Sequence, residues 1–295
     1  MKIQFLNGGL ANQAFQYIFA RHYELSHPGQ IMYLDDTYFA LHTVHNGYEL
    51  EKVFGIQAHM LSQCFDDEVW SFILEERREG KSVPRILCEN GIETYMISDV
   101  GDSCQSFNPF TGKIVCVPGD KFIPEVYDTE GDVYYHGYWI SKGWFEKYKE
   151  VFLKEFTFPE IEDEANRAHL QRIYEVPSVS IHIRRGDFVQ LGWAYPADIY
   201  RRMIRTFVSA CGNEWELFVF SDDIPWCREN QENMGFQKFR RVHFVEGNVK
   251  GRNYIDLQLM SQCEAMILSN SSFCYLAALL NTRKNYFLNP SEREV

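Results

Sequence analysis

Between Ser178 and Ile183, Val179, Ile181 and Ile183 alternate with Ser180 and His182. A period of two with β-branched residues on the apolar side predicts a strand. The pattern around it is regular. Glu160–Tyr174 reads as a helix before the strand, and Pro196–Cys211 as a helix after it. Strands are predicted at Glu216–Phe220, Val242–Val245, Ala265–Ser269 and Asn285–Leu288. Helices are predicted from Ile224, over Asn253–Cys263 and over Ser271–Asn281. Such alternation implies a parallel, doubly wound sheet.

The first half is less regular. Ile3–Leu6 is a short apolar strand, turned by Asn7-Gly8-Gly9 into a helix over Ala11–Leu25. Gln30–Leu34 reads as a second strand and Asp66–Arg78 as a helix. Val133–Ile140 reads as a strand followed by a helix over Ser141–Phe156. Asn108-Pro109, Thr111-Gly112 and Pro118-Gly119 mark turns. Thr157-Phe158-Pro159 breaks the pattern, so the boundary is placed there: residues 1–158 and 159–295.

The central strand runs into Arg184-Arg185-Gly186-Asp187. Ligands of open α/β sheets collect at the carboxyl ends of strands, so a site is expected here. If the strand continues, the two arginines point to opposite sides, one to a ligand and one to the loop. Arginine suits a diphosphate because its planar fork stays charged and donates two parallel hydrogen bonds. Gly186 permits a sharp exit. Asp187 can hold a guanidinium, and His182, two residues before Arg184, lies on the same face or is a hydrogen-bonded core histidine.

Composition narrows the class. At 295 residues the chain can bury a large core and make two domains. A formal net charge of -12 argues against a nucleic-acid or anionic-membrane binder, which needs basic patches. The eight cysteines, Cys64, Cys88, Cys104, Cys116, Cys211, Cys227, Cys263 and Cys274, show neither Cys-x-x-Cys nor zinc spacing. With no leader or membrane span in the pattern, they point to reduced thiols and a cytosolic protein. Asp35-Asp36 and Asp66-Asp67 read as solvated turn carboxylates. Neither a P-loop nor Gly-x-Gly-x-x-Gly is present, so Gly8-Gly9 by itself is a tight turn.

His182, Arg184, Arg185 and Asp187 resemble the His-x-Arg-Arg-x-Asp motif of the α-1,2-fucosyltransferases, inverting enzymes of glycosyltransferase family 11 that use GDP-fucose. Two further blocks carry the resemblance. Gly8-Gly9-Leu10-Ala11-Asn12-Gln13-Ala14-Phe15-Gln16-Tyr17 is similar to the family's Gly-Gly-Leu-Gly-Asn-Gln-Met-Phe-Gln-Tyr, and Ser269-Asn270-Ser271-Ser272-Phe273 to its Asn-Ser-Ser-Phe signature. Ala11 stands where the family has glycine; a positive φ there would cost on the order of 1 kcal/mol. Cys274–Leu280 departs from the family pattern.

The resemblance implies a GT-B-like α/β fold of two Rossmann-like domains, with an acceptor-side N-terminal domain and a C-terminal domain holding GDP-fucose. It implies a bacterial-type, cytoplasmic enzyme, peripheral to the inner membrane if its acceptor is lipid-linked. A galactose-terminated glycan would receive fucose on its 2-hydroxyl, entering between the domains. Gly9, Asn12 and Gln13 would approach the donor, with His182 at ribose or base. Asp222 and Asp223, matching a Ser-Asp-Asp block, can accept from a guanine edge. His136, Tyr138 and Trp139, near a Gly-Tyr-Trp-Gln block, are either cleft wall or core.

Leaving-group charge can be met by metal or protein. No Asp-x-Asp occurs, so no metal or cofactor is expected and protein must supply it. Arg184 is the first candidate for the β-phosphate. Asn270, Ser271, Ser272 and Phe273 are the second, because a helix N-terminus after a strand favours anions, although Asn270 or Ser271 can simply cap the helix. Asp187 can act as base or hold Arg184 or Arg185. The alternatives are a transferase with another donor or linkage, and a sugar- or nucleotide-binding protein without turnover.

Overall fold

The computed structural model describes residues 1–43, 45–99, 114–283 and 286–289. The chain divides into two compact units, Met1–Thr157 and Phe158–Val295.

The first unit holds a five-stranded parallel sheet in the order β2-β1-β5-β3-β4. Its strands are β1 (Lys2–Phe5), β2 (Met32–Asp35), β3 (Thr94–Ser98), β4 (Ile114–Cys116) and β5 (Asp132–His136). The helix Leu10–Ser26 follows β1 and buries Phe15, Ile18, Phe19 and Tyr23. Phe19 lies 4.2 Å from the Trp139 ring, stacked on it. That contact and the Trp139 Nε1–H bond to Gln4 Oε1 (2.7 Å) make Trp139 core rather than cleft wall. His136 stacks on Phe5, and Tyr138 is half-buried.

The predicted strand Val133–Ile140 stops at His136 because Asp99 takes the next amides. Tyr138 N–H donates to Asp99 Oδ1 and Oδ2 (3.0 and 2.9 Å), and Trp139 N–H to Oδ2 (2.5 Å). Trp139 has φ +54°, a left-handed conformation costing a bulky residue about 1–2 kcal/mol, which these bonds offset.

Other expectations shift. The helix over Ser141–Phe156 is two, Lys142–Glu146 and Lys149–Glu155. Asp35 is buried, accepting from Tyr134 Oη (2.6 Å) and Thr37 N–H (3.0 Å), and Asp36 accepts from Ser62 N–H (3.1 Å). These two are therefore not solvated turn carboxylates. Asp66 caps the helix Asp67–Arg78 through Val69 N–H (2.9 Å). Cys116 is disulfide-bonded, against the expectation of reduced thiols, whereas Cys64, Cys88, Cys211, Cys227, Cys263 and Cys274 are free. Cys104, Asn285 and the turns at Asn108-Pro109 and Thr111-Gly112 lie outside the described residues.

The second unit has the parallel order β10-β9-β6-β7-β8. These are β6 (Ser178–Ile183), β7 (Glu216–Ser221), β8 (Arg241–Phe244), β9 (Ala265–Ile267) and β10 (Tyr286–Leu288). Every residue of β6 is buried, as in a sheet covered on both faces. Val179, Ile181 and Ile183 pack with Tyr200, Ile204 and Phe207 of the helix Ala197–Cys211. The helix before β6 begins at Glu164 rather than Glu160 because Asp163 caps it, accepting from Asn166 N–H (2.9 Å). The chain steps from β6 to β7 to β8, then crosses to β9 on the other side of β6. The order reverses at β6/β9, where such sheets open a crevice at their carboxyl ends. Among the described residues no helix is long and apolar enough to cross a membrane.

Candidate active site

The β6/β9 reversal point gathers most of the predicted site. His182, near the end of β6, is bonded through Nδ1 to Ser269 Oγ beyond β9 (2.8 Å), tying the two strands together. Its ring lies 5.7 Å from that of Phe273. Burial, aided by the Arg184 charge, lowers the His182 pKa to about 3, so the ring is neutral. Ser271 caps the helix Ser272–Leu280, accepting from Phe273 N–H (3.3 Å). Asn270 does not cap; its Nδ2 donates to the Trp193 carbonyl (2.9 Å), and its Oδ1 is buried without a partner.

The strand ends at Ile183, so strand alternation does not govern Arg184 and Arg185. Carboxylates on both sides of the loop orient them instead. Arg184 Nη2 donates to Asp187 Oδ1 (2.6 Å), and Nη1 lies 2.9 Å from Asp222 Oδ2. Its guanidinium rests over the Phe188 ring at 5.4 Å. Arg184 is about one-third exposed, and two carboxylates on a five-donor fork leave N–H groups for an anion. Arg185 is the more buried of the two. Its Nε donates to Asp223 Oδ2 (3.1 Å) and its guanidinium stacks on Trp226 at 3.8 Å. Trp226, three residues beyond Asp223 on the same short helix, escaped the sequence reading.

Asp222 and Asp223, expected at a guanine edge, are thus engaged with the two arginines. Asp222 also accepts from Arg185 N–H (2.8 Å), and Asp223 caps its own helix through Trp226 N–H (3.1 Å). Gly186 matters through size rather than φ, since a β-carbon there would stand 2.6 Å from Asp222 Oδ2.

The N-terminal block lies in the first unit. Gly8 has φ +78°, and a β-carbon on it would stand 2.7 Å from Asn12 Nδ2. Ala11, by contrast, is helical and buried, so the feared positive φ does not arise. Gln13 is fully buried. Its Nε2 donates to the Gly8 and Gly47 carbonyls (2.9 Å each), and its Oε1 accepts from Glu49 N–H (2.8 Å). These bonds make Gln13 the side chain that shapes this loop. Gly9 precedes the helix in extended backbone, and Asn12 lies in its first turn.

Asp256 escaped the sequence reading. It sits in the first turn of the helix Tyr254–Ser261, after the loop leaving the carboxyl end of β8. Asn248 Nδ2 donates to its Oδ1 (2.6 Å), yet burial pushes its pKa up to about 7. Perturbed carboxyls at such a position mark functional candidates. Among the described residues no group of three or more His, Cys, Asp or Glu side chains could hold a metal ion.

The fold has solved relatives. The selenomethionine fucosyltransferase NodZ from Bradyrhizobium matches with a TM-score of 0.51 and 11% identity, over 95% of this chain and 92% of that one. NodZ α-1,6-fucosyltransferase co-crystallised with GDP matches at 0.50 and 12%, with the same coverage. The likeness establishes an α/β fold of the GT-B class. In sequence, an α-1,2-colitosyltransferase of Escherichia coli is 28% identical over 300 residues, spanning 96% of this chain and 87% of that protein. The O-antigen biosynthesis glycosyltransferase WbnK of Escherichia coli is 31% identical over 111 residues, 36% of this chain and 35% of that one. The model of glycosyl transferase family 11 matches residues 118–293, over half of the chain and all of the arginine site, and the chain belongs to that family.

Proposed function

We propose that this protein transfers L-fucose from GDP-β-L-fucose to the 2-hydroxyl of a β-galactoside, inverting the anomeric carbon to an α-1,2-fucoside. The observation that carries the reading is Arg184, a partly exposed cation held by Asp187 and Asp222 at the β6/β9 reversal point. A preorganised guanidinium there offsets charge growing on the β-phosphate as the glycosidic bond breaks. Ser271, Ser272 and the N-terminus of the Ser272–Leu280 helix add N–H and hydroxyl donors for the diphosphate. Guanine presents N1–H and N2–H donors, for which the Asp256 carboxyl is a matching acceptor. His182, neutral and bonded to Ser269, lines the crevice rather than moving a proton. Asp187 acts by holding Arg184. The charge is met by protein, with no metal required.

The colitosyltransferase relative favours a second reading that keeps the α-1,2 linkage and changes the donor sugar. GDP release from GDP-fucose and GDP-colitose, with and without lactose and in EDTA, tests both. Lactose-dependent release from GDP-fucose with an α-1,2-linked product by NMR is the expected result. Release from GDP-colitose alone moves the assignment to the second reading. Release only after Mn²⁺ or Mg²⁺ is restored overturns the metal-free scheme.

A further inference from the structure

The segment that follows the arginine pair presents three large apolar side chains to solvent: Val189 (49% exposed), Leu191 (52%) and Trp193 (57%). Single exposed hydrophobics are ordinary, but three within five residues beside a charged site single the segment out. The segment is built rather than loose. The short helix Gly186–Gln190 ends in a turn closed by bonds from Gly192 N–H to the Val189 carbonyl (3.3 Å) and from Trp193 N–H to the Phe188 carbonyl (2.8 Å). Ala194 N–H donates to the same Phe188 carbonyl (3.1 Å). The Trp193 carbonyl accepts from Asn270 Nδ2, which pins the turn to the Asn270-Ser271-Ser272 block. Phe188 packs edge-on against the Trp193 indole, centroids 5.5 Å apart, while Arg184 rests over Phe188. The backbone of Trp193 is therefore fixed from two sides and its indole is left facing water, one aromatic ring away from Arg184.

We propose that Trp193 is the acceptor platform, on which a hexopyranose ring of the acceptor glycan lays its apolar C–H face. A galactopyranoside has one face of axial and equatorial C–H groups, which an exposed indole covers while the hydroxyls stay hydrated. The neighbouring Val189 and Leu191 extend the apolar lip, so a second sugar of the chain has a surface to follow. The inference rests on the transferase reading above and adds to it the residue that selects the acceptor. Trp193 is a positioning residue, and Arg184 keeps its role without it.

The test is binding of GDP-saturated protein to an array of galactose-terminated oligosaccharides, for the wild type, Trp193→Ala and Trp193→Phe. GDP affinity by calorimetry, measured alongside, reports on the fold and the donor site. The expected result is glycan binding about tenfold weaker in Trp193→Ala, largely restored in Trp193→Phe, with GDP affinity unchanged. In turnover the same loss falls on acceptor KM rather than kcat. Equal glycan binding by wild type and Trp193→Ala overturns the platform, as does a wild type that binds none of the array. If Trp193→Ala instead loses only binding to phosphatidylethanolamine–phosphatidylglycerol vesicles, the patch is a membrane lip and the proposal is wrong. Glycan binding that depends on Trp193 in a protein that consumes no GDP-sugar would sink the transferase reading and leave the platform standing.

Discussion

Asp222 Oδ2 lies 2.9 Å from Arg184 Nη1, and the missing β-carbon of Gly186 would stand 2.6 Å from that same oxygen. One carboxylate on β7's exit thus sets the arginine of β6's exit, and a glycine keeps the space between them open. Gly186→Ala should push Asp222 off both arginines. The position has no positive φ and opens a helix, so alanine costs the backbone nothing there. Turnover should fall by about tenfold or more, with the melting temperature nearly unchanged. Wild-type turnover in Gly186→Ala would show that the clamp is dispensable.

Arg184→Ala should lower kcat by at least ~10²-fold, as loss of a charge-stabilising donor does. Arg184→Lys should recover little, because an ammonium cannot reach Asp187, Asp222 and a phosphate with one planar fork. Circular dichroism and thermal melts should match the wild type, since Arg184 is partly exposed and no core side chain changes. Full activity in either variant would remove Arg184 from the mechanism.

Ala11→Gly restores the residue expected from the family pattern, yet it should destabilise. Ala11 is buried in the first turn of the helix Leu10–Ser26, where glycine costs up to about 1 kcal/mol, the value for a helix interior. A chemical-denaturation midpoint that rises on this change would contradict the helical assignment at Ala11.

Glu216 opens β7 nearly fully buried, with Arg172 Nε donating to it at 2.9 Å and His243 Nε2 bonded to it at 2.7 Å. The Arg172 hydrogen bonds, and then His243, hold its pKa down to about 2. A depressed carboxylate contributes stability above its unfolded value near 4.5 and loses it as pH falls toward the folded value. The contribution at neutral pH is on the order of 3 kcal/mol. Glu216→Gln should therefore be markedly less stable than wild type at pH 7, with the gap narrowing between pH 4.5 and 2. A gap that does not change with pH would mean that the ion pair is not its source.

Much of the second unit was legible because its signals are local. The alternation of Ser178–Ile183, the apolar spacing of Ala197–Cys211 and the turn residues between elements each follow from a few neighbouring side chains, and all correspond to elements in the structure. Element ends were less secure, because a cap such as Asp163 or a captured amide such as Trp139 N–H decides them.

The residue pattern alone carries the parallel α/β class and a break near Thr157, and it draws attention to His182, Arg184, Arg185, Asp187, Asp222 and Asn270–Phe273. What each of these side chains touches is set by the packing of distant elements. Asp222 and Asp223 lie 37 and 38 residues from Arg185, to which they hydrogen-bond, and Gln13 is spent on Gly8, Gly47 and Glu49. A charged or amide group takes whichever partner the packed strands bring within about 3 Å, and that partner comes from a different element, whose arrival no local pattern encodes. Trp193 shows the same thing from the outside: in the sequence it is one more aromatic, and only the turn held by Phe188 and Asn270 leaves its indole in water.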